Sequence, residues 1–143
     1  MTYVESRVQE NPAAPVVPLD PLGHLVTFVG EAFPNTPRWQ GDLNADYTRE
    51  IKNNLLGFVG ASVTDRSGTS AAFGNSPYYK IDGYGLLDLR AGVETTDGRW
   101  RFALFGRNVT DRYYWQSVTR FGDVVARLTG YPTTYGISGS YRY

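Results

Sequence analysis

The chain has no cysteine, one histidine and one methionine among its 143 residues. Without thiols there is no disulfide framework, no thiolate nucleophile and no cysteine-based zinc knuckle. Charge of one sign is also lacking: 14 Lys and Arg balance 14 Asp and Glu, so no uniform field selects nucleic acid or anionic lipid as a partner. No run approaches the ~18 consecutive apolar residues of a spanning helix. The N-terminal "MTYVESRVQENPAAP" has neither a basic n-region nor an apolar h-region, so no signal peptide is read there. A 3.6-residue apolar stripe is missing too, which removes amphipathic helices as the organising element.

What is present is alternation, with 16 glycines and 11 tyrosines. The period of two predicts an all-β chain of about six strands. In "RWQGDLNADYT", Trp39, Gly41, Leu43, Ala45 and Tyr47 share one face, and Arg38, Gln40, Asp42, Asn44, Asp46 and Thr48 share the other. Residues 55–65 form a second strand of ambiguous facing, because Leu56 and Phe58 compete with Val59, Ala61 and Val63. "YGLLDLRAGVE" opposes Leu87, Leu89, Ala91 and Val93 to Leu86, Asp88, Arg90 and Glu94, and "TTDG" at 95–98 signals a hairpin. "RWRFALFGR" sets Trp100, Phe102, Leu104 and Gly106 against Arg99, Arg101, Phe105 and Arg107. The terminal "TTYGISGSYRY" sets Tyr135, Ile137, Tyr141 and Tyr143 against Gly136, Ser138, Ser140 and Arg142, and "TYVESRVQ" is a weaker first strand.

Connections alternate in length. Short links at 51–54 and 95–98 take turns with long, Pro/Gly/Ser/Asn-rich ones at 11–36, 66–82 and 108–132, which read as mobile surface loops. An antiparallel up-and-down meander places all short turns at one end, the arrangement of an outer-membrane barrel. Periodicity alone leaves two media open: a soluble barrel points its apolar face inward, a membrane barrel points it at lipid. Strands of about ten residues match a tilted bilayer span. Aromatics at strand ends (Trp39, Tyr47, Tyr84, Trp100, Tyr135, Tyr143) favour lipid, as does a terminal aromatic. Glycine and alanine on the apolar face favour lipid as well, since a soluble core would be left with voids there.

At "NVTDRYY", the segment Asn108, Val109, Thr110, Asp111, Tyr113 and Tyr114 resembles the Asn-(Leu/Val)-(Thr/Phe)-Asp-x-x-Tyr segment near the C-terminus of TonB-dependent outer-membrane receptors. "GEAFPNTPRWQGDLNADY", "YGLLDLRAGVE" and "GYPTTYGISGSYRY" are similar to further segments of that family, in matching order over residues 28–143. Thr133 stands where the family usually has arginine. The resemblance implies that residues 1–143 are part of the receptor β-barrel domain, an incomplete piece of a wall of about 22 strands with a plugged lumen. It implies location in the cell outer membrane of a Gram-negative bacterium. It further implies a role as wall and extracellular loops in energised uptake of siderophore, cobalamin or saccharide-type ligands, the segment alone being inactive. Tyr135, Ile137, Tyr141 and Tyr143 would form the C-terminal assembly signal read by the barrel-assembly machinery. The plug and the contact with the TonB system have no counterpart here, so that contact would come only through a missing N-terminal part. The ligand is not legible.

No catalysis, cofactor or metal is expected. His24 sits in a Pro/Gly-rich loop without acidic or histidine neighbours. Asp42, Asn44 and Asp46 fall on a polar strand face that a wet lumen explains. "GISGS" is not a nucleophile elbow, and "NVT" at 108–110 is explained by the receptor-like segment better than as a glycosylation acceptor. Arg90, Arg99, Arg101 and Arg107 could bind an anion, but Asp88 and Glu94 are read as balancing them in a lumen wall. Neutral net charge argues against single-stranded nucleic acid despite the interleaved aromatics. A different class remains as the alternative: a small soluble all-β ligand- or carbohydrate-binding module using Trp39, Trp100 and Trp115.

Overall fold

The computed structural model describes residues 1–10, 19, 23–74 and 76–143. In chain order the strands are β1 (Thr2–Tyr3), β2 (Trp39–Lys52), β3 (Leu55–Arg66), β4 (Thr69–Ser70), β5 (Lys80–Ile81), β6 (Tyr84–Thr95), β7 (Trp100–Arg107), β8 (Trp115–Phe121), β9 (Val124–Thr129) and β10 (Thr134–Tyr141). Among the described residues the only helical element is the 3₁₀ turn Pro77–Tyr79. The main sheet is an antiparallel meander in the order β1-β2-β3-β6-β7-β10. It does not close: β1 pairs only with Trp39 and Gln40, so the rest of β2 and the outer side of β10 are free edges among the described residues. The expected first strand over "TYVESRVQ" is thus cut to two residues. Val4 N still donates to Arg38 O at 2.7 Å, but further on Val8 exchanges hydrogen bonds with Gly30 and Glu31 at 2.8 and 2.9 Å, outside any ladder.

The chain divides into two compact units. One, Asp42–Asp65, Gly85–Tyr113 and Tyr131–Tyr143, is the sheet wall. Its strands follow the expected alternation, and its short turns use residues suited to left-handed backbone: Asn54 at φ 68° and Gly98 at φ 69°. Both turns lie at the same end, where Thr96 N donates to Asn54 O at 3.2 Å. In the second turn Asp97 Oδ1 accepts from Thr95 Oγ1 at 2.5 Å and from Arg99 N at 3.1 Å. The hydrogen bond from Thr95, then that from the Arg99 backbone, hold the Asp97 carboxyl below the usual carboxylate range. The ladders are in register without a bulge: Leu89↔Gly106 through Glu94↔Arg101 between β6 and β7, and Thr134↔Arg107 through Tyr141↔Trp100 between β10 and β7.

The ambiguous facing of residues 55–65 is resolved by contacts. Thr64 Oγ1 donates to Asp42 Oδ1 at 2.7 Å and Ser62 Oγ donates to Asn44 Oδ1, so even-numbered β3 residues lie on the polar face with Asp42 and Asn44. Val59, Ala61 and Val63 therefore join Leu43, Ala45 and Tyr47 on the apolar face, and Leu56 and Phe58 fall on the polar one.

The other unit, Met1–Gly41, Arg66–Tyr84 and Tyr114–Gly130, gathers the long connections. Two of them, 66–82 and 108–132, carry short ladders, β4 with β5 and β8 with β9, the latter turning at Gly122 with φ 59°. Tyr79, Ile81 and Val118 are buried together against Ala71, Ala72, Trp115 and Val125. Phe73 stacks on Phe28 with centroids 4.9 Å apart. The parts of the expected 11–36 connection at 11–18 and 20–22, and residue 75 of the 66–82 connection, lie outside the described residues. A core this small depends on each member. Ile81→Ala should cost about 2–5 kcal/mol locally. In detergent-solubilised protein, amide exchange should then accelerate within 69–81 and 115–129 while the β6–β7–β10 ladder stays protected. Uniform acceleration would show the two units to be one cooperative structure.

Candidate functional site

Within the wall unit, alternation produces two faces of different chemistry. The apolar face carries Tyr47, Val59, Leu89, Leu104 and Ile137, all exposed among the described residues; Leu104 and Ile137 are 60% and 79% exposed. Near the short-turn end, aromatics group on that face: Trp100 lies 4.5 Å from Tyr141 and 5.9 Å from Phe102 between ring centroids, and Tyr143 is 5.2 Å from Tyr141. Glycines on this face are not bare. Tyr135 leans over its cross-strand partner Gly106 and Ile51 over Gly57, so the small residues are shielded by neighbours and their presence alone does not distinguish lipid from core.

The polar face is a set of paired groups. Asp46 accepts from Arg90 Nε and Nη2 at 2.5–2.9 Å. The two residues sit on β2 and β6, with β3 between them, so the pair spans two strand spacings, about 10 Å of sheet. It crosses at Gly60, where a Cβ would overlap Asp46 Oδ1 and Arg90 Nε. Arg101 Nη1 donates to Glu94 Oε2 at 2.8 Å, and its guanidinium carbon lies 4.1 Å from the Phe58 ring centroid. The Phe58 ring in turn covers Gly92. Arg99 pairs with Asp97 at 3.6 Å, and Arg107 lies 5.6 Å from the Phe105 ring centroid. The arginine row is therefore largely occupied by acids and rings. The expected balance is corrected in one respect: Arg90 is held by Asp46, and Asp88 is engaged elsewhere.

Asp88 Oδ1 accepts from Asn108 N at 2.8 Å, at the point where the motif segment begins. Asn108, 4% exposed and at φ 47°, ends β7 in a left-handed turn that asparagine tolerates better than most side chains. Its Oδ1 accepts from Arg112 N at 2.9 Å, and its Nδ2 donates to Arg112 O at 2.9 Å and Tyr131 O at 3.1 Å. Asp111, also left-handed at φ 51°, shares Thr133 with it: Thr133 Oγ1 donates to Asn108 O at 2.7 Å and Asp111 Oδ1 at 3.0 Å. Val109 N donates to Leu87 O at 2.9 Å. Of the six motif residues, the structure thus draws Asn108 and Asp111 together with the entry to β10, and ties Val109 to β6. Thr110 and Tyr113 are exposed, and Tyr114 belongs to the loop unit, 4.3 Å from Tyr84 between ring centroids. Of the C-terminal set, Tyr135, Ile137 and Tyr141 lie in one register of β10 and Tyr143 follows the strand.

Among the described residues no three His, Asp or Glu side chains cluster to hold a metal ion. Trp39 and Trp115 fall in the loop unit and Trp100 in the wall unit. Sequence reasoning missed the roles of Gly60, Asp88 and Thr133. For Gly60 a signal existed: a glycine in a strand interior marks close approach by another group.

A family model described as TonB dependent receptor-like, beta-barrel, matches residues 2–141. Neither the curated proteins nor the solved structures gave a match.

Two outcomes follow from this geometry. Asn108→Ala takes the side-chain partner from backbone groups of Arg112 and Tyr131 and forces alanine into a left-handed turn, a combined cost of roughly 1–3 kcal/mol; a urea midpoint in detergent close to that of the parent protein would refute the latch. For the crossing pair, Gly60→Val should lower that midpoint in the parent protein yet be neutral or stabilising beside Arg90→Ala, where a β-branched residue fits the strand. Additive effects would show that the pair does not depend on the gap.

Proposed function

The chain belongs to the TonB dependent receptor-like β-barrel family, and on that premise we propose that residues 1–143 supply a wall section and extracellular loops for energised uptake of a small ligand across the outer membrane. Barrels of this family are receptors and transporters of the Gram-negative outer membrane, and they catalyse no reaction. In this reading the apolar face meets lipid, the paired polar face lines the lumen, and the short turns are periplasmic. One observation carries it: five adjacent strands present an uncovered apolar face on one side and a hydrogen-bonded polar face on the other.

The finer roles rest on the same reading. The strands that complete the wall, and the plug and TonB contact that the family places N-terminally, act here as partners. The ligand class is a siderophore, cobalamin or saccharide-type molecule, gated by the long connections. Asn108, Val109, Thr110, Asp111, Tyr113 and Tyr114 lock the approach to the last strand. Tyr135, Ile137, Tyr141 and Tyr143 are the signal that the barrel-assembly machinery reads.

Facing can be tested at adjacent positions. Ile137→Lys puts a charge on the lipid side at a cost of roughly 2–4 kcal/mol near the bilayer midplane, whereas Ser138→Lys on the lumen side should cost little. Residues 133–143 carrying either change, or lacking Tyr143, can be grafted onto a full-length receptor and scored as heat-modifiable barrel in outer membranes. Ile137→Lys and loss of Tyr143 should each lower the yield, and Ser138→Lys should not. Equal yields for the two lysine variants would overturn the assignment of faces.

A further inference from the structure

The apolar face carries one cation out of place; Asp65, the acid on the same face, lies at the other end of β3. By the alternation of β2, Arg49 shares the face of Leu43, Ala45, Tyr47 and Ile51, one pleat inboard of Ile51 at the short-turn end. It is exposed, and among the described residues no carboxylate pairs with it, whereas Arg90, Arg99 and Arg101 each have an acid. On a face that meets lipid, an arginine this close to the strand end can extend its guanidinium to the interface, where an anion can pair with it. The anion within reach of a lipid-facing side chain near the interface is a lipid phosphate, which guanidinium binds through paired N–H donors.

Toward the middle of the strands the same face opens into an apolar groove lined by Tyr47, Ala61, Leu89, Leu104 and Tyr135 among others. Its near wall, Tyr47, is the next residue on that face after Arg49, a step of about 7 Å. A charged group at the interface and an apolar channel running inward from it match the two halves of a diacyl phospholipid: phosphate on Arg49, acyl chain over Ala61. We propose that this chain binds one phospholipid of the periplasmic leaflet at this site. The site rests on the assignment of the apolar face to lipid and of the short turns to the periplasm. That orientation selects a phospholipid over lipopolysaccharide, which occupies the opposite leaflet.

The full chain, refolded into bilayer discs of phosphatidylcholine with a minor fraction of phosphatidylglycerol, can be stripped stepwise with detergent and weighed by native mass spectrometry. The parent protein should retain one phosphatidylglycerol. Arg49→Ala should lower retention several-fold, Arg49→Lys should keep most of it, and Ala61→Phe should displace the lipid by filling the groove. Arg142→Ala, at the short-turn end but outside the groove, should change nothing. Equal retention by the parent protein and Arg49→Ala would overturn the proposal, as would preferential retention of added lipopolysaccharide or of a second protein copy. Quenching of tryptophan by brominated acyl chains keeps the two levels apart. Quenching without a retained lipid rejects this site and leaves the membrane reading standing, whereas no quenching rejects both.

Discussion

The ion pair between Asp46 and Arg90, lying across Gly60, ties three strands of the wall to one register. A lone sheet has no second layer to lock it by packing, and a slip of one residue would exchange its faces. Here a slip would carry Arg90 away from its acid and put a side chain where the pair has to cross. The pair itself is surface-exposed and contributes little net stability. Its importance is in specifying alignment, with the Phe58 ring over Gly92 and the Tyr135 ring over Gly106 adding the same kind of constraint on each face. Rings and ion pairs laid over glycines let flat contacts do the work that interdigitating layers do in a two-layer protein.

Much of this wall was readable because alternation is local. Residues 84–95 are marked by their own period and by the "TTDG" turn, and the strand in the structure has those same bounds. The facing of β3 was not readable, since Leu56 and Phe58 are apolar by type yet lie on the polar face. Phe58 is stable there because a guanidinium covers it, a fact that depends on β7, some 40 residues away. The loop unit was illegible for a related reason. Tyr79, Ile81 and Val118 come from two separate connections, and neither segment alone has enough apolar residues in a regular period to predict a shared core.

The motif segment shows a resemblance acquiring a physical content. Asn108 can end a strand in a left-handed turn while its amide satisfies backbone groups on either side, and Asp88 takes up its N–H from the neighbouring strand. Thr133, a departure from the usual arginine, reaches Asn108 O and Asp111 Oδ1 with a single short hydroxyl. The last strand is thereby anchored at its entry, one residue ahead of its first ladder pair, Thr134 with Arg107.

Strand direction has an arithmetic of its own. The five long strands of the sheet, β2, β3, β6, β7 and β10, alternate in direction, so the outermost two run the same way. If antiparallel order is kept all round, the arc between the free side of β10 and the free length of β2 must hold an odd number of strands. Copies of this five-strand arc joined head to tail would place β10 parallel to the next β2, which breaks that order. The two-residue β1 already runs in the sense that the first place in that arc requires, opposite to β2, with Thr2 beside Gln40 and Tyr3 beside Trp39.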